Sequence, residues 1–178
     1  MLYVGVDPGV SGAIAFLYPR APVVIDMPTL QIKTGKKTKN MLDAATLATI
    51  LGQDIMPMHV YVEDVHPMPK EGTVSSFSFG VSNGIIIGIL AAYKIPYTKV
   101  TPQRWKKLML DGMPKDKGAS IARALQLFPS LSNQLITKRG AKKDGRAEAL
   151  LIAVYSKRME GSPTPEEDPS VLQLSDWA

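Results

Sequence analysis

The chain contains no cysteine among its 178 residues. It therefore offers neither a disulfide framework nor a cysteine-based zinc site, and a reducing compartment fits this composition. Long hydrophobic runs are also missing, since the longest apolar segment, GIIIGILAA at residues 84–92, is about half of the roughly 20 residues that a membrane helix needs. The opening MLYVGVD has no basic segment followed by a long apolar one, which argues against a secretory signal. We expect a cytoplasmic protein without membrane contact.

Acidic residues are scarce over most of the chain. All 21 Lys and Arg residues lie at or before Arg158, whereas five of the 16 acids follow it. Residues 1–159 therefore contain 11 acids and carry a net charge of +10, twice the overall charge of +5. A basic body favours polyanionic partners such as nucleic acid, although it also serves solubility alone.

The apolar pattern predicts one α/β domain over residues 1–160. Three short runs, LYVGVD, GAIAFLY and APVVIDMP, predict a meander of three strands, and VYVED and IPYTKV predict a fourth and a fifth. Helical patterns lie before the fourth strand, between the fourth and fifth strands, and after the fifth. The expected fold is a five-stranded mixed sheet with helices on both faces.

Two segments lack a regular pattern. Residues 28–41 are polar and basic without a helical or strand period, which predicts a flexible loop. Residues 161–178 are acidic and rich in proline, which predicts a loosely held C-terminal tail.

Small residues recur in the helix predicted for residues 73–93. Gly80, Gly84, Gly88 and Ala92 follow one another at intervals of four, so they share one face. Each glycine costs a helix interior about 1 kcal/mol, and close packing must offset that cost. The partner is either the protein's own sheet or the same helix of a second subunit.

Four acids stand at the ends of predicted elements. Asp7 follows an apolar strand expected at the centre of the sheet, where an unpaired charge is costly. Glu63 ends the fourth strand, and Asp144 and Glu148 lie one turn apart at the start of the last helix. Such acids can meet above one sheet edge and provide the oxygen ligands that Mg²⁺ prefers, and two such ions can drive phosphodiester hydrolysis. Taken singly, Asp144 is explained as a helix cap and Glu63 as a solvated strand end.

A basic run, KRGAKKDGR, immediately precedes and overlaps the last pair of acids. Its position predicts phosphate contacts, because a substrate approaching carboxylates needs local positive potential. Its cations are Lys138, Arg139, Lys142, Lys143 and Arg146.

A lysine segment and a tryptophan outside that run each have two possible interpretations. Lys36, Lys37 and Lys39 form a second basic segment, either a solvated surface or a contact to nucleic acid. Trp105, among three cations in RWKK, is expected to pack in the core rather than to stack on a base.

Taken together, the motifs resemble the RuvC-type Holliday-junction resolvases of the RNase H-like superfamily, most closely their bacteriophage branch. The resemblance spans about residues 1–158, in the family's order, and rests on VGVDPGVSGAIAF, VYVED, SSFSFGVSNG, VTPQRWKK and KKDGRAEALLIA. It implies an RNase H-like fold and a homodimer that cuts four-way DNA junctions by paired symmetric nicks. It also implies Mg²⁺ or Mn²⁺ as cofactor, two ions per site, and 5′-phosphate and 3′-hydroxyl products. For a phage protein, the compartment would be the host cytoplasm.

The resemblance also assigns roles to individual residues. Asp7, Glu63, Asp144 and Glu148 become the catalytic, metal-binding acids, and the helix at residues 73–93 becomes the dimer helix. Lys106 and Lys117 occupy positions of DNA-contacting lysines.

Two features depart from the better-known bacterial members. Their last two acids are aspartates three residues apart, whereas Asp144 and Glu148 are four apart. Their strand acid is followed by an aromatic residue that probes junction bases, whereas this chain has His66, Pro67 and Met68. His66 is a candidate for DNA contact, although a histidine in a proline-rich turn is commonly structural.

Two rival functions remain open at this stage. A related nuclease could act on replication forks, flaps or RNA/DNA hybrids, because such enzymes share these acids. A DNA-binding module could use the basic surface without cutting. An actin-like ATPase also carries an Asp-Gly turn, but 178 residues are few for its two lobes.

Overall fold

A computed structural model describes residues 1–35, 37–53, 56–66, 72–116 and 118–161. The interpretations of Lys36, Pro67, Met68, Lys117 and the tail beyond residue 161 therefore concern positions outside the described residues.

In the described residues, five strands come first, two further strands then alternate with helices, and the last elements are all helical. The strands are β1 (Leu2–Asp7), β2 (Ala13–Leu17), β3 (Pro22–Asp26), β4 (Thr29–Thr34), β5 (Lys37–Leu42), β6 (Met58–Glu63) and β7 (Tyr97–Val100). The helices are α1 (Ala44–Gly52), α2 (Thr73–Ala92), α3 (Pro102–Met109), α4 (Ala119–Leu127), α5 (Ser132–Leu135) and α6 (Asp144–Glu160).

The main sheet has five strands in the order β3-β2-β1-β6-β7. β1, β2 and β3 form an antiparallel meander, whereas β1, β6 and β7 run parallel. The predicted mixed five-stranded sheet is thus confirmed, with β1 at its centre. Because parallel strands end at the same edge, Asp7 at the end of β1 and Glu63 at the end of β6 emerge side by side.

Helices cover both faces of this sheet, as predicted. One apolar cluster joins the sheet to α1 and α2, and a second joins it to α3, α4 and α6. Trp105 is fully buried in the second cluster, so its predicted packing role is confirmed. The side chain of Asp43 caps α1 by accepting the Thr46 N–H at 3.1 Å.

Helix α6 lies directly on β1. A Cβ atom at Gly5 would be 2.2 Å from the Ala149 carbonyl oxygen and 2.3 Å from the Ala153 nitrogen. Only glycine therefore allows this approach without a backbone shift. A second contact occurs at the start of α6, where a Cβ at Gly145 would be 2.6 Å from the Ser11 carbonyl oxygen.

The far end of α6 is tied to the sheet by polar groups. The Tyr61 hydroxyl donates to Glu160 Oε1 at 3.0 Å, and His59 Nδ1 lies 3.2 Å from the same oxygen. Thr98 Oγ1 lies 2.9 Å from His59 Nε2. These contacts and the glycine contacts together fix α6 along its length.

The flexible loop predicted for residues 28–41 is wrong: the segment forms a β-hairpin. β4 and β5 pair in register from Thr29 opposite Leu42 to Thr34 opposite Lys37, in a sheet separate from the main one. Exposed aliphatic residues alternate with polar ones along β4, and the surrounding lysines obscure this period of two. Gly35 makes the turn possible with φ of 62°.

The glycine face of α2 is open in the described structure. A Cβ at Gly80, Gly84 or Gly88 would meet no atom within 4 Å, so packing of this stripe on the protein's own sheet is wrong. The opposite side of α2 buries Ile86 and Leu90. By length and composition alone, α2 could cross a membrane, with mean hydropathy of 1.6 over its most apolar window.

Substitution of Gly5 tests the packing of α6 on β1. We expect Gly5→Ala to lower the free energy of unfolding by about 1–3 kcal/mol or more, because its Cβ overlaps the backbone of α6. Ser75→Ala is the matched control, because this exposed residue lies on the side of α2 away from the glycine face, and it should change the free energy of unfolding by less than about 0.5 kcal/mol. Denaturant unfolding of both variants measures the difference, and equal values would contradict the packing.

Candidate active site

A cleft of about 550 Å³ opens where β1 ends and α6 begins. Three of the four predicted acids, Asp7, Asp144 and Glu148, line it. Glu63, only 5% exposed, lies behind them and interacts electrostatically with Asp7 and Glu148. The fold thus brings the four acids to one edge of the sheet.

The carboxylate of Asp7 is held in an unfavourable environment for a negative charge. Burial raises the pKa of Asp7 to about 7, and repulsion by Glu63 and Glu148 acts in the same direction. The Gly9 N–H donates to Asp7 Oδ1 at 3.4 Å and, with the charge of Lys106, opposes the rise. Asp7 is therefore poised to lose its proton to a cation or to a rise in pH.

Glu63 is oriented by the buried tryptophan. The Trp105 indole N–H donates to Glu63 Oε1 at 2.8 Å. Burial raises the pKa of Glu63, and this hydrogen bond works against the rise by favouring the charged form. Trp105 therefore has a second role beyond packing, because it holds a candidate site residue in place.

Glu148 faces a cation. Lys106 Nζ lies 2.9 Å from Glu148 Oε1 and 5.0 Å from the centre of the Trp105 ring. Ser120 Oγ donates to the same carboxylate oxygen at 3.2 Å. Lys106 therefore belongs to the acid cluster itself.

The four carboxylates lie near one another but do not converge on one position. Among the described residues, no group of three or more His, Cys, Asp or Glu side chains stands in an arrangement that could hold a metal ion. Glu148 turns toward Lys106 and Glu63 toward Trp105. Asp144, the first residue of α6, lines the cleft and is exposed.

One acid that the sequence did not single out, Asp26, organises the cations of the cleft. Arg146 donates from Nε to Asp26 Oδ1 at 2.6 Å and from Nη2 to Asp26 Oδ2 at 2.9 Å. Lys143 Nζ lies 3.4 Å from Asp26 Oδ2, and Arg146 Nη1 also donates to the Gln134 carbonyl at 3.0 Å. The hydrogen bond from Arg146 holds the pKa of Asp26 below its usual range.

Besides Lys106, the predicted DNA-contacting residues that the structure describes lie at three places. Lys142, Lys143 and Arg146 line the cleft. Lys138 and Arg139 are exposed on the turn before α6. His66 is 78% exposed beyond the end of β6, with Nε2 3.4 Å from Asp64 Oδ2.

Sequence reasoning missed Asp26 and the second role of Trp105. Asp26 ends β3 in the same way that Asp7 ends β1, and this shared position is the only signal the sequence contains. The contact between Trp105 and Glu63 joins residues 42 positions apart, so no local pattern indicates it.

The opposite pKa shifts of two cleft acids predict opposite effects on stability. The native pKa of Asp7 is raised, so its contribution to stability is present near pH 4 and is lost as the pH rises toward about 7. We expect Asp7→Asn to stabilise the metal-free protein at pH 8, by at most about 4 kcal/mol, and to lose this advantage at pH 4.

Asp26→Asn is the control of opposite sign. The native pKa of Asp26 is lowered, so its contribution is present at neutral pH and is lost as the pH falls through that pKa. This variant should be destabilised at pH 8, with the loss shrinking on acidification. Thermal unfolding in EDTA across this pH range measures both effects, and a destabilised Asp7→Asn at pH 8 would contradict the electrostatic account.

Comparisons with known proteins bear on the fold and on part of the sequence. No protein-family model matches the chain. Over 100 residues, 56% of the chain, it is 35% identical to Holliday junction resolvase MOC1, chloroplastic, of Chlamydomonas reinhardtii. That match spans 11% of the length of the curated relative.

Two solved structures from Thermus thermophilus share its architecture. RuvC in complex with a Holliday junction substrate superposes with a TM-score of 0.57 at 12% identity, covering 90% of this chain and 96% of that one. A second RuvC structure gives a TM-score of 0.53 at 16% identity, covering 90% and 97%. The chain therefore has the RuvC fold, as its motifs predicted.

Proposed function

We propose that this protein is a metal-dependent, structure-selective endonuclease that resolves four-way DNA junctions. The observation that carries the proposal is the group of four acids at one sheet edge, beside a cleft lined by cations, on the RuvC fold. The relative from Chlamydomonas is named a Holliday junction resolvase, and one RuvC structure contains a Holliday junction substrate, which supports the same substrate here.

The donor set suits a hard divalent cation. All four groups are carboxylates, and partly buried Asp7 and buried Glu63 repel one another, so a bound cation would relieve this repulsion. Mg²⁺ or Mn²⁺, two ions per site, held by Asp7, Glu63, Asp144 and Glu148, would supply an activated water and stabilise the leaving oxygen.

The remaining residues of the site would orient the substrate and the acids. Arg146 keeps two of its five N–H groups beyond the three bonds described, so it can donate to a phosphate oxygen from an orientation fixed by Asp26. Lys142 and Lys143 add positive potential along the cleft. Lys106 holds Glu148 and can exchange this partner for a phosphate. Lys138, Arg139 and His66 are proposed as outer DNA contacts, and Lys117 as a further DNA contact.

We further propose that two copies pair through α2. Its open glycine face allows two helix backbones to approach closely, and Phe77, 73% exposed, lies on the same side of the helix. Such a dimer has two sites related by a two-fold axis, which is the symmetry that paired cuts across a four-way junction require. Dimerisation would also cover the apolar surface that makes α2 long and apolar enough to cross a membrane.

The compartment and the source are part of the proposal. A cysteine-free, DNA-cutting protein fits the cytoplasm, whereas the Chlamydomonas relative is chloroplastic. Assignment to the bacteriophage branch stays a prediction, because the similar proteins are algal and bacterial.

Cleavage of a synthetic four-way junction tests the activity. We expect paired symmetric nicks with Mg²⁺ or Mn²⁺, rejoined by ligase and absent in EDTA. Asp7→Asn should reduce the rate by at least about 100-fold while binding is kept or improved, because the substitution removes a negative charge facing phosphate. Mapping the cuts on all four strands provides the measurement.

Asp43→Asn is the matched control for this change. Asp43 caps α1 away from the cleft and asparagine caps equally well, so cleavage should be unchanged. Equal cutting of forks, flaps or RNA/DNA hybrids would replace the resolvase with a general branch nuclease. If the protein binds DNA but shows no metal-dependent cleavage, it is a DNA-binding module and not a nuclease.

Substitution on the open face of α2 tests the dimer. Gly84→Leu should convert dimers to monomers without loss of fold, because its Cβ meets no atom of the same chain within 4 Å. Ser75→Leu adds the same side chain about two and a half turns away, on the opposite side of the helix, and should leave the dimer intact. Sedimentation equilibrium distinguishes these outcomes, and a monomeric wild-type protein or liposome binding through α2 would overturn the proposal.

A further inference from the structure

The β4–β5 hairpin presents an exposed apolar face. Leu30 pairs with Met41 across the hairpin and Ile32 pairs with Lys39, so these four side chains share one face. Leu30, Ile32 and Met41 are 51%, 40% and 37% exposed. A two-stranded sheet outside the main one thus holds aliphatic side chains in solvent.

The charge of the hairpin indicates what covers this face. Residues 27–42 contain four lysines and no acid. A second copy of the hairpin would place like charges together, which disfavours pairing of two hairpins. A polyanion meets the same charges favourably.

The hairpin starts at the rim of the cleft. Asp26, Met27 and Thr29 line that cleft, and Thr29 is the first residue of β4. A hydrogen bond between Lys39 Nζ and Ser78 Oγ ties β5 to the first turns of α2. Strands of six residues extend about 20 Å, which matches roughly six base pairs of duplex DNA.

We propose that this hairpin is a β-ribbon that enters the major groove of a DNA arm leaving the cleft. The inference rests on the proposed function, since it takes the DNA bound at the acids as its partner. The major groove, about 12 Å wide, admits a two-stranded ribbon, whereas the minor groove, about 6 Å wide, would have to be widened to admit one. Leu30, Ile32 and Met41 contact thymine methyl groups and base edges, and Lys39 contacts the phosphates along the groove.

Binding in EDTA tests the ribbon independently of cleavage. A triple variant, Leu30→Ser with Ile32→Ser and Met41→Ser, should bind a junction with long arms about tenfold more weakly than the wild type. Gln31→Ser is the matched control, because Gln31 lies between Leu30 and Ile32 on the opposite face, and its affinity should stay within about twofold. Sedimentation velocity and thermal unfolding establish that each variant keeps its fold and assembly.

The DNA can be varied in the same experiment. Shortening the arms below about six base pairs should reduce wild-type affinity to that of the triple variant. Replacing thymine by uracil in the arms should weaken DNA binding by the wild type and leave binding by the triple variant unchanged, because only the methyl group is removed.

Lys39 provides a second variant that does not alter the apolar side chains. Lys39→Gln should reduce the slope of log affinity against log salt by about 0.9, as expected for one lost phosphate contact. Ser78→Ala removes the tie to α2 but keeps the charge, so its slope should be unchanged.

The outcomes separate this proposal from the proposed function. The ribbon proposal is overturned if the triple variant binds DNA with wild-type affinity and Lys39→Gln leaves the salt dependence of binding unchanged. This holds even if the protein resolves junctions. Loss of the dimer in the triple variant overturns it in favour of a protein interface. If the wild-type protein binds DNA through the hairpin but cuts no DNA, the ribbon proposal is supported and the endonuclease proposal is wrong.

Discussion

The contact of α6 with β1 is the constraint on which the rest of the site depends. Gly5 admits the backbone of the helix onto the central strand, and Gly145 admits its first turn against the β1–β2 turn. Through these two positions, the helix that carries Asp144 and Glu148 is held beside Asp7. A hydrogen-bonded cluster around Glu160 holds the other end of α6, so the helix cannot tilt without breaking either close packing or polar contacts.

Charge is arranged around this contact in two layers. The acids that end buried strands lie inside, where burial and mutual repulsion raise the pKa of Asp7 and of Glu63. The cations lie outside, and acids hold two of them: Glu148 holds Lys106, and Asp26 holds Arg146. Such an arrangement stores unfavourable charge within the fold, which suits a site proposed to bind a cation and a phosphodiester.

Two surfaces outside the cleft, on α2 and on the β4–β5 hairpin, are suited to larger partners. The open glycine face of α2 is shaped for close approach of another helix, whereas the hairpin is basic and aliphatic and extends from the cleft. One feature suits a second subunit and the other a DNA arm. Both features match the branching and the two-fold symmetry of the proposed substrate.

Local sequence determined the five strands of the main sheet, most helices, the central position of β1 and the acids at element ends, because each depends on periodicity or on a neighbouring turn. It also predicted the RuvC fold through motifs spread along the chain. It did not reveal the hairpin, whose period of two is masked by lysines, nor the bonds from Trp105 to Glu63 and from Asp26 to Arg146. Tertiary structure alone decided these contacts and the exposure of the α2 glycines, because they join or separate residues far apart in the chain, where backbone packing rather than local preference sets the distance.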